Sequence, residues 1–252
     1  MFIHYRTEGI VLKEVERGEA DKLLTIYTKD FGKIEVFGKA IRKINSKLRS
    51  GIQLNCFSEI EFIEGKFHKT LTDSIIIDKF SRIKQSPAKL KIAYRIGETA
   101  DELLKKEEKD ERIWKLISTV FRLLDKSDLD NDQLAVIYYF FFWNLISILG
   151  YKPELYFCAS CRKKLKSVQL HFNCLEGGVI CPDCLKKTAL REKKNILIDA
   201  DTIKILRIIL KKDWGTILRL DISASHKAML KKITNHFLLT ISFSKQLTKQ
   251  AI

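Results

Sequence analysis

The sequence has no low-complexity tract, no long uninterrupted apolar run and none of several short signatures that mark catalysis. It carries no phosphate-binding glycine loop, no H-E-x-x-H, and no H-x-E partnered with P-C-x-x-C, which argues against P-loop, zincin and zinc-deaminase chemistry. Asp199 and Asp201 precede an apolar-periodic run, where carboxylates read as helix-capping groups before they read as a metal pair. The opening MFIHYRTEGIVLKE breaks its apolar run with Arg6, Glu8 and Lys13 before a signal-peptide core can form. LAVIYYFFFWNLISILG, residues 134–150, comes nearest to a membrane span. Asn144 and Ser147 interrupt it and no basic flank adjoins its start, so a buried helix, apolar on every side, is expected and no membrane partner.

What is present is a soluble-type composition, 46% apolar, 31% charged and 10% aromatic, with a large basic excess. The 252 residues suit two or three small domains, and the net charge of +15 favours a polyanionic partner. Lys and Arg outnumber Asp and Glu by only 26 to 23 in residues 1–150, but by 20 to 8 in residues 151–252.

Five β-rich runs, TEGIVLKEV, KLLTIYT, KIEVFGKA, CFSEIEFIEG and TLTDSIIID, fill the first 80 residues between turn signals. That density predicts a small closed barrel of the five-stranded oligonucleotide-binding (OB-fold) kind over residues 1–80. Beyond Pro87 the period changes to helical, with Ile92, Ala93, Ile96, Ala100, Leu103 and Leu104 on one face and Asp101–Lys105 and Glu102–Lys106 as surface pairs. A second helix follows with Ile113, Leu116, Ile117, Val120 and Leu124 inward, then the aromatic helix, capped by Asp130 or Asp132 and ended by Gly150. The fold class expected is α+β: the barrel, a helical domain over 81–150 and 195–252, and a cysteine module over 151–194 inserted in it. In the last part, Ile205, Leu206 and Ile209 oppose a stripe of Lys204, Arg207 and Lys211, and Leu230, Ile233 and Phe237 oppose Lys227 and Lys231. These stripes are either ordinary solvated faces or, since both carry one sign, part of a polyanion surface.

Cys158-Ala-Ser-Cys161 and Cys181-Pro-Asp-Cys184 form two C-x2-C pairs with 19 residues between them, the spacing of a four-thiolate zinc site. Glu176-Gly177-Gly178 supplies a turn that brings the pairs together. Four protein ligands leave no position for water, so a single Zn²⁺ here is structural. Thioredoxin-type redox chemistry needs one pair beside a strand–helix junction, whereas here two pairs flank a hairpin. His171 and Cys174 fall outside the paired turns and read as strand residues near the site, and Cys56 as a small buried hydrophobe. Residues 151–194 offer few large apolar side chains, so the metal is expected to supply much of their folding free energy.

KAIRKINSKLRSG, residues 39–51, holds Lys39, Arg42, Lys43, Lys47 and Arg49 and no acid. In the preceding strand Ile34 and Val36 share one face and Lys33, Glu35 and Phe37 the other. With the aliphatics inside the barrel, Phe37 stands outside among cations, which is what a single strand needs for stacking and phosphate contact. The alternative is a solvated loop with Phe37 covered by another part of the chain.

TEGIVLKEVERGEADKLLTIYTKDFGKIEVFGKAIRK, LGYKPELYFCASC and EGGVICPDC together resemble, in this order, the bacterial DNA repair family RecO, over nearly the whole length. The resemblance implies a cytoplasmic, nucleoid-associated recombination mediator without catalytic turnover. Such a protein binds single- and double-stranded DNA, anneals complementary strands, engages the carboxy-terminal tail of SSB and, with RecR, helps load RecA. It carries the family's basic residues onto Lys39, Arg42, Lys43 and Arg49. Many zinc-bearing relatives place Gly directly after the first C-x2-C, where this chain has Arg162, and some relatives lack the cysteines altogether. Two other classes fit the same residues: a zinc-stabilised RNA-binding or transcription-associated protein, and a nucleic-acid enzyme.

Overall fold

The computed structural model describes residues 3–126, 128–166, 169–187, 195–212, 214–219 and 222–250. The end of the expected cysteine module, 188–194, lies outside them. The chain forms two compact units, Met1–Leu134 and Ala135–Ile252.

In the first unit the expected runs become β1 (His4–Arg17), β2 (Asp21–Thr28), β3 (Gly32–Gly38), β4 (Phe57–Glu64) and β5 (Lys69–Asp78), closed in the order β1-β2-β3-β5-β4. Alternation sends Leu24 and Ile26, Ile34 and Val36, and Ile60 and Phe62 into one core with Val11 and Leu71. β1 is long enough to pair with β4 through His4–Ile10 and with β2 through Gly9–Arg17, bending at a register shift between Val11 and Lys13. A short parallel pairing, Val36 with Lys69 and Phe37 with Thr70, closes the barrel and leaves no open edge.

Helices α1 (Lys47–Gly51), α2 (Ser81–Gln85), α3 (Pro87–Leu103) and α4 (Glu111–Lys126) complete this unit. Ser86 caps α3, accepting from the Lys89 amide, and Pro87 takes the first position where no amide is needed. Ala93, Ile96, Ala100 and Leu103 are buried, as are Ile113, Leu116, Ile117, Val120 and Leu124 of α4. At Gly97 a Cβ would stand 2.8 Å from the Leu12 carbonyl oxygen, so glycine is what lets α3 lie against β1. The expected Asp101–Lys105 pair is replaced by other partners. α3 stops at Leu103, and Asp101 instead meets Lys13 and Lys33 while Lys105 meets Glu108 and Lys106 meets Glu35.

The aromatic helix is α5 (Asn131–Ile148), capped by Asp130, whose Oδ1 accepts from the amides of Asp132 and Gln133 at 2.9 and 2.8 Å. Phe141, Phe142, Trp143, Leu145 and Ile146 are fully buried. The two interrupting polar residues find partners inside the unit: Asn144 donates through Nδ2 to the carbonyls of Phe140 and Ile209, though its buried Oδ1 accepts no hydrogen bond, and Ser147 donates to the carbonyl of Trp143. Among the described residues no helix is long and apolar enough to cross a membrane. A small sheet, β6 (Leu170–Asn173), β7 (Gly178–Ile180) and β8 (Asn195–Ile198), runs in the order β7-β6-β8. It is accompanied by α6 (Pro182–Lys187), α7 (Ala200–Leu210), α8 (Trp214–Arg219) and α9 (Ala224–Gln250). Phe172 of β6 and Phe237 of α9 pack their rings on Trp143 at 5.9 and 5.3 Å, joining sheet and helices into one core.

Candidate metal centre and nucleic-acid interface

The four thiols of the two C-x2-C pairs converge, with all their sulfurs within 4.8 Å of one another. Cys161 and Cys181 stand 3.8 Å apart, and a tetrahedron of sulfurs about 2.3 Å from a central ion has edges of about 3.8 Å. The first pair lies in a turn, in which the Arg162 amide bonds to the Cys158 carbonyl. The second starts directly after β7 and enters α6. The β6–β7 hairpin, with Asn173 opposite Gly178, sets the distance between the pairs. Gly178 is required for close approach, because a Cβ there would sit 2.4 Å from the Glu154 carbonyl oxygen, which accepts from the Val179 amide of β7 while the Glu154 amide donates to the Gly177 carbonyl.

The electrostatics suit a cation. Burial pushes the Cys158 thiol up, but the amides of Cys161, Cys181 and Ser160 aim at its sulfur and outweigh that, bringing it down to about 6. Cys184 is pushed up to about 12 by burial and by the neighbouring thiols, since closely spaced sulfurs resist ionising together. A divalent ion at the centre reverses that resistance. These four residues can therefore hold one metal ion, with no ligand position left over. Cys174 lies in the turn after β6, its thiol pushed up to about 11 by burial, and His171 lies on β6; neither belongs to the four-sulfur cluster.

The basic loop after β3 is exposed as expected. Lys39, Arg42, Lys43, Lys47 and Arg49 all face solvent, and Arg42 alone among them shows an ion pair within the described residues, to Glu16 at 3.0 Å. Phe37 is half-buried on the outer face of β3 and meets the His68 ring at 5.2 Å. Phe67 beside it is 87% exposed, with the Lys66 ammonium 5.7 Å from its ring centre. Sequence reading missed Lys66, Phe67 and His68, although a basic-aromatic run directly after Gly65 at a hairpin tip was a usable signal.

Lys33 does not join this face. It is buried, its ammonium held by the Asp101 carbonyl and, at 3.2 Å, by the Asp101 carboxylate on α3. Alternation does point it out of the barrel, but α3 covers that spot. In the second unit Lys204 pairs with Asp201 at 2.8 Å and Lys211 is exposed at the end of α7. Arg207 is turned inward: it donates through Nε and Nη2 to the Leu155 carbonyl and lies over the Tyr156 ring. Asp199 caps α7 through the Thr202 amide at 2.7 Å, as expected. Asp199, Asp201 and His226 also gather within 4.8 Å, a second group able to approach a metal ion.

A closed five-stranded barrel with an exposed basic loop, followed by a helical region bearing a four-cysteine cluster able to hold a metal ion, defines a class of barrel-headed proteins with a thiolate module. The family models described as Recombination protein O N terminal and Recombination protein O C terminal match residues 1–80 and 84–247. The chain belongs to the recombination protein O (RecO) family. Relatives include DNA repair protein RecO of Dehalococcoides mccartyi strain 195, 33% identical over 219 residues, covering 87% of this chain and 83% of that protein. The protein of the same name from Acetivibrio thermocellus is 27% identical over 235 residues, covering 93% and 90%.

Proposed function

We propose that this chain is a recombination mediator that binds single- and double-stranded DNA and anneals complementary strands without catalytic turnover. The observation that carries this reading is the exposed basic loop on the closed barrel, next to the rings of Phe37, His68 and Phe67. Cations neutralise phosphates, flat rings take unstacked bases, and two strands held on a positive surface no longer repel. Phe37, Lys39, Arg42, Lys43, Lys47 and Arg49 are the proposed strand contacts on the barrel, with Lys204 and Lys211 as further cations on α7; Arg207 is assigned to shaping that surface.

The ion held by the four cysteines is zinc in this reading, since a closed tetrahedral thiolate set is its preferred structural site. It acts as scaffold. Family membership is what supports cooperation with RecR, contact with the SSB tail, loading of RecA on SSB-coated DNA, and a cytoplasmic, nucleoid-associated location.

The test is a titration of labelled single-stranded DNA at several salt concentrations. Five contacted phosphates give a slope of roughly −3.5 in log K against log salt. Charge reversal at Lys39, Arg42 and Lys43 lowers affinity and flattens that slope while the fold persists. Binding that survives the triple change removes the barrel face from the mechanism, and no binding in dilute buffer removes the function. The group formed by Asp199, Asp201 and His226 gives the nuclease alternative one concrete observation. Protein-dependent cleavage of DNA with Mg²⁺ or Mn²⁺, abolished by Asp201→Asn, would establish it.

A further inference from the structure

Beside the thiol cluster the second unit contains a groove of about 690 Å³, within the size range of ligand clefts. Its wall is the segment between α5 and the first cysteine pair, and the most exposed part of that wall is aromatic: Tyr151 is 39% exposed, Tyr156 50% and Phe157 46%. Rings of this size are ordinarily placed where one face is covered, and three exposed within seven residues need a reason.

The Tyr156 ring is held in a specific way. Arg207 reaches from α7 and anchors its guanidinium on the Leu155 carbonyl, which fixes the plane of the charge 4.3 Å from the Tyr156 ring centre. Glu154 fixes the other side of the turn, accepting from the amides of Tyr156 and Phe157 at 3.0 and 3.2 Å. One face of Tyr156 is therefore backed by a cation and the ring is half exposed to solvent, a stacking platform whose ordering cost is met before any ligand arrives.

The rim is basic. Lys152, Arg162 and Lys211 line the groove with Glu154 and Glu176, and Lys163, Lys164 and Lys166 follow exposed along the chain. Glu154 is already engaged by two amides and by Arg162 at 3.4 Å. Exposed flat rings among lysines suit bases on a phosphate backbone better than an acidic peptide, which would satisfy the charges and leave the rings without partners.

We propose that this groove is a second single-strand-binding site, in which a base stacks on the open face of Tyr156, with Phe157 and Tyr151 as neighbouring rings and Lys152, Arg162 and Lys211 on the phosphates. Arg207 is the positioning residue. The proposal rests on the annealing function and deepens it: the barrel face holds one strand and the groove beside the thiol cluster receives its complement.

The experiment uses full-length, metal-loaded protein and an oligodeoxythymidylate carrying 5-iododeoxyuridine, photocrosslinked and mapped by peptide mass. Adducts are expected on the peptide containing Tyr156 and Phe157 as well as on barrel peptides. Tyr156→Leu should slow annealing of complementary strands about tenfold, the size of one lost base–ring stack, while first-strand affinity changes less than about twofold. Tyr156→Phe should restore the rate, with thermal melting and metal content showing that all three proteins are folded alike. Adducts confined to the barrel, with annealing indifferent to Tyr156→Leu, overturn the second site and leave the barrel function standing. No adduct anywhere and no binding overturn the parent function instead. An acidic peptide that crosslinks in the groove and is not displaced by the oligonucleotide assigns the groove to a protein partner and overturns the proposal.

Discussion

The barrel buries ten apolar side chains in a shared cluster, eight from its five strands and Ile41 and Ile52 from the segment between β3 and β4, whereas among the described residues the cluster around the thiols has Cys158, Ile180 and Cys184 as its buried members. The barrel thus acquires order from side-chain burial and strand register, each of its faces specified by alternation. In the cysteine module the small sheet buries Leu170, Phe172 and Val179 against the helical core, but the cysteine-bearing turns have little apolar area to remove from water and would take their order from bonds to a metal ion. Two regions that both display exposed cations are therefore built to fail under different treatments.

Metal removal gives the largest expected effect. Structural zinc contributes on the order of 10 kcal/mol to the folding of small thiolate modules. A strong chelator, or Cys184→Ser, should therefore open the two cysteine-bearing turns, residues 158–166 and 181–187, to proteolysis while the barrel melts at its original temperature. If these turns stay protected without metal, their order comes from side-chain burial as it does in the barrel. The converse treatment is Phe62→Ala, which empties a fully buried position of the barrel core and should cost about 3–5 kcal/mol in urea unfolding of the first unit. The bound-metal content of the chain should stay at one ion, because the four thiols belong to the other unit.

Lys33 sharpens the comparison inside the barrel unit, where a cation has become structural. Lys33→Ala removes the charged hydrogen bonds to Asp101 and should destabilise the unit by about 2 kcal/mol. The affinity of the folded protein for single-stranded DNA should stay unchanged. Loss of affinity at unchanged stability would return Lys33 to the strand-binding face.

The contrast also explains what could be read from the residues. All five strands were legible because a period of two and turn signals are local, and the metal cluster was legible because thiolate spacing is itself a geometric statement. The buried helix could be foreseen, but the partners of Asn144 could not, since one of them, the Ile209 carbonyl, lies 65 residues away. Charge and face alone place Lys33 and Arg207 where a polyanion could meet them, yet both are engaged by groups more than 50 residues distant. Charge can be read from sequence, but whether another element covers it cannot. The Asp101–Lys105 pair failed for a related reason, because the helical period was carried past Leu103, where α3 ends.

The smallest expected effect concerns the turn that closes the first cysteine pair. Arg162 follows that pair with φ of +62°, the left-handed region in which a side chain costs about 1 kcal/mol or more and glycine costs nearly nothing. The ion pair of Arg162 with Glu154 spans 3.4 Å with the guanidinium largely exposed, so it offsets little of that strain. Arg162→Gly should therefore tighten metal retention by about 1 kcal/mol, seen as slower release to a competing chelator, and leave the melting of the barrel unit unmoved. It also removes a cation from the groove, which Arg162→Asn separates from backbone strain, because asparagine loses the charge but tolerates the left-handed conformation. Both variants should then lose DNA affinity equally, while Gly retains metal best, Asn next and Arg least. If the three retain metal equally, the turn is not where the module is strained, and the residue after the cysteine pair serves the groove alone.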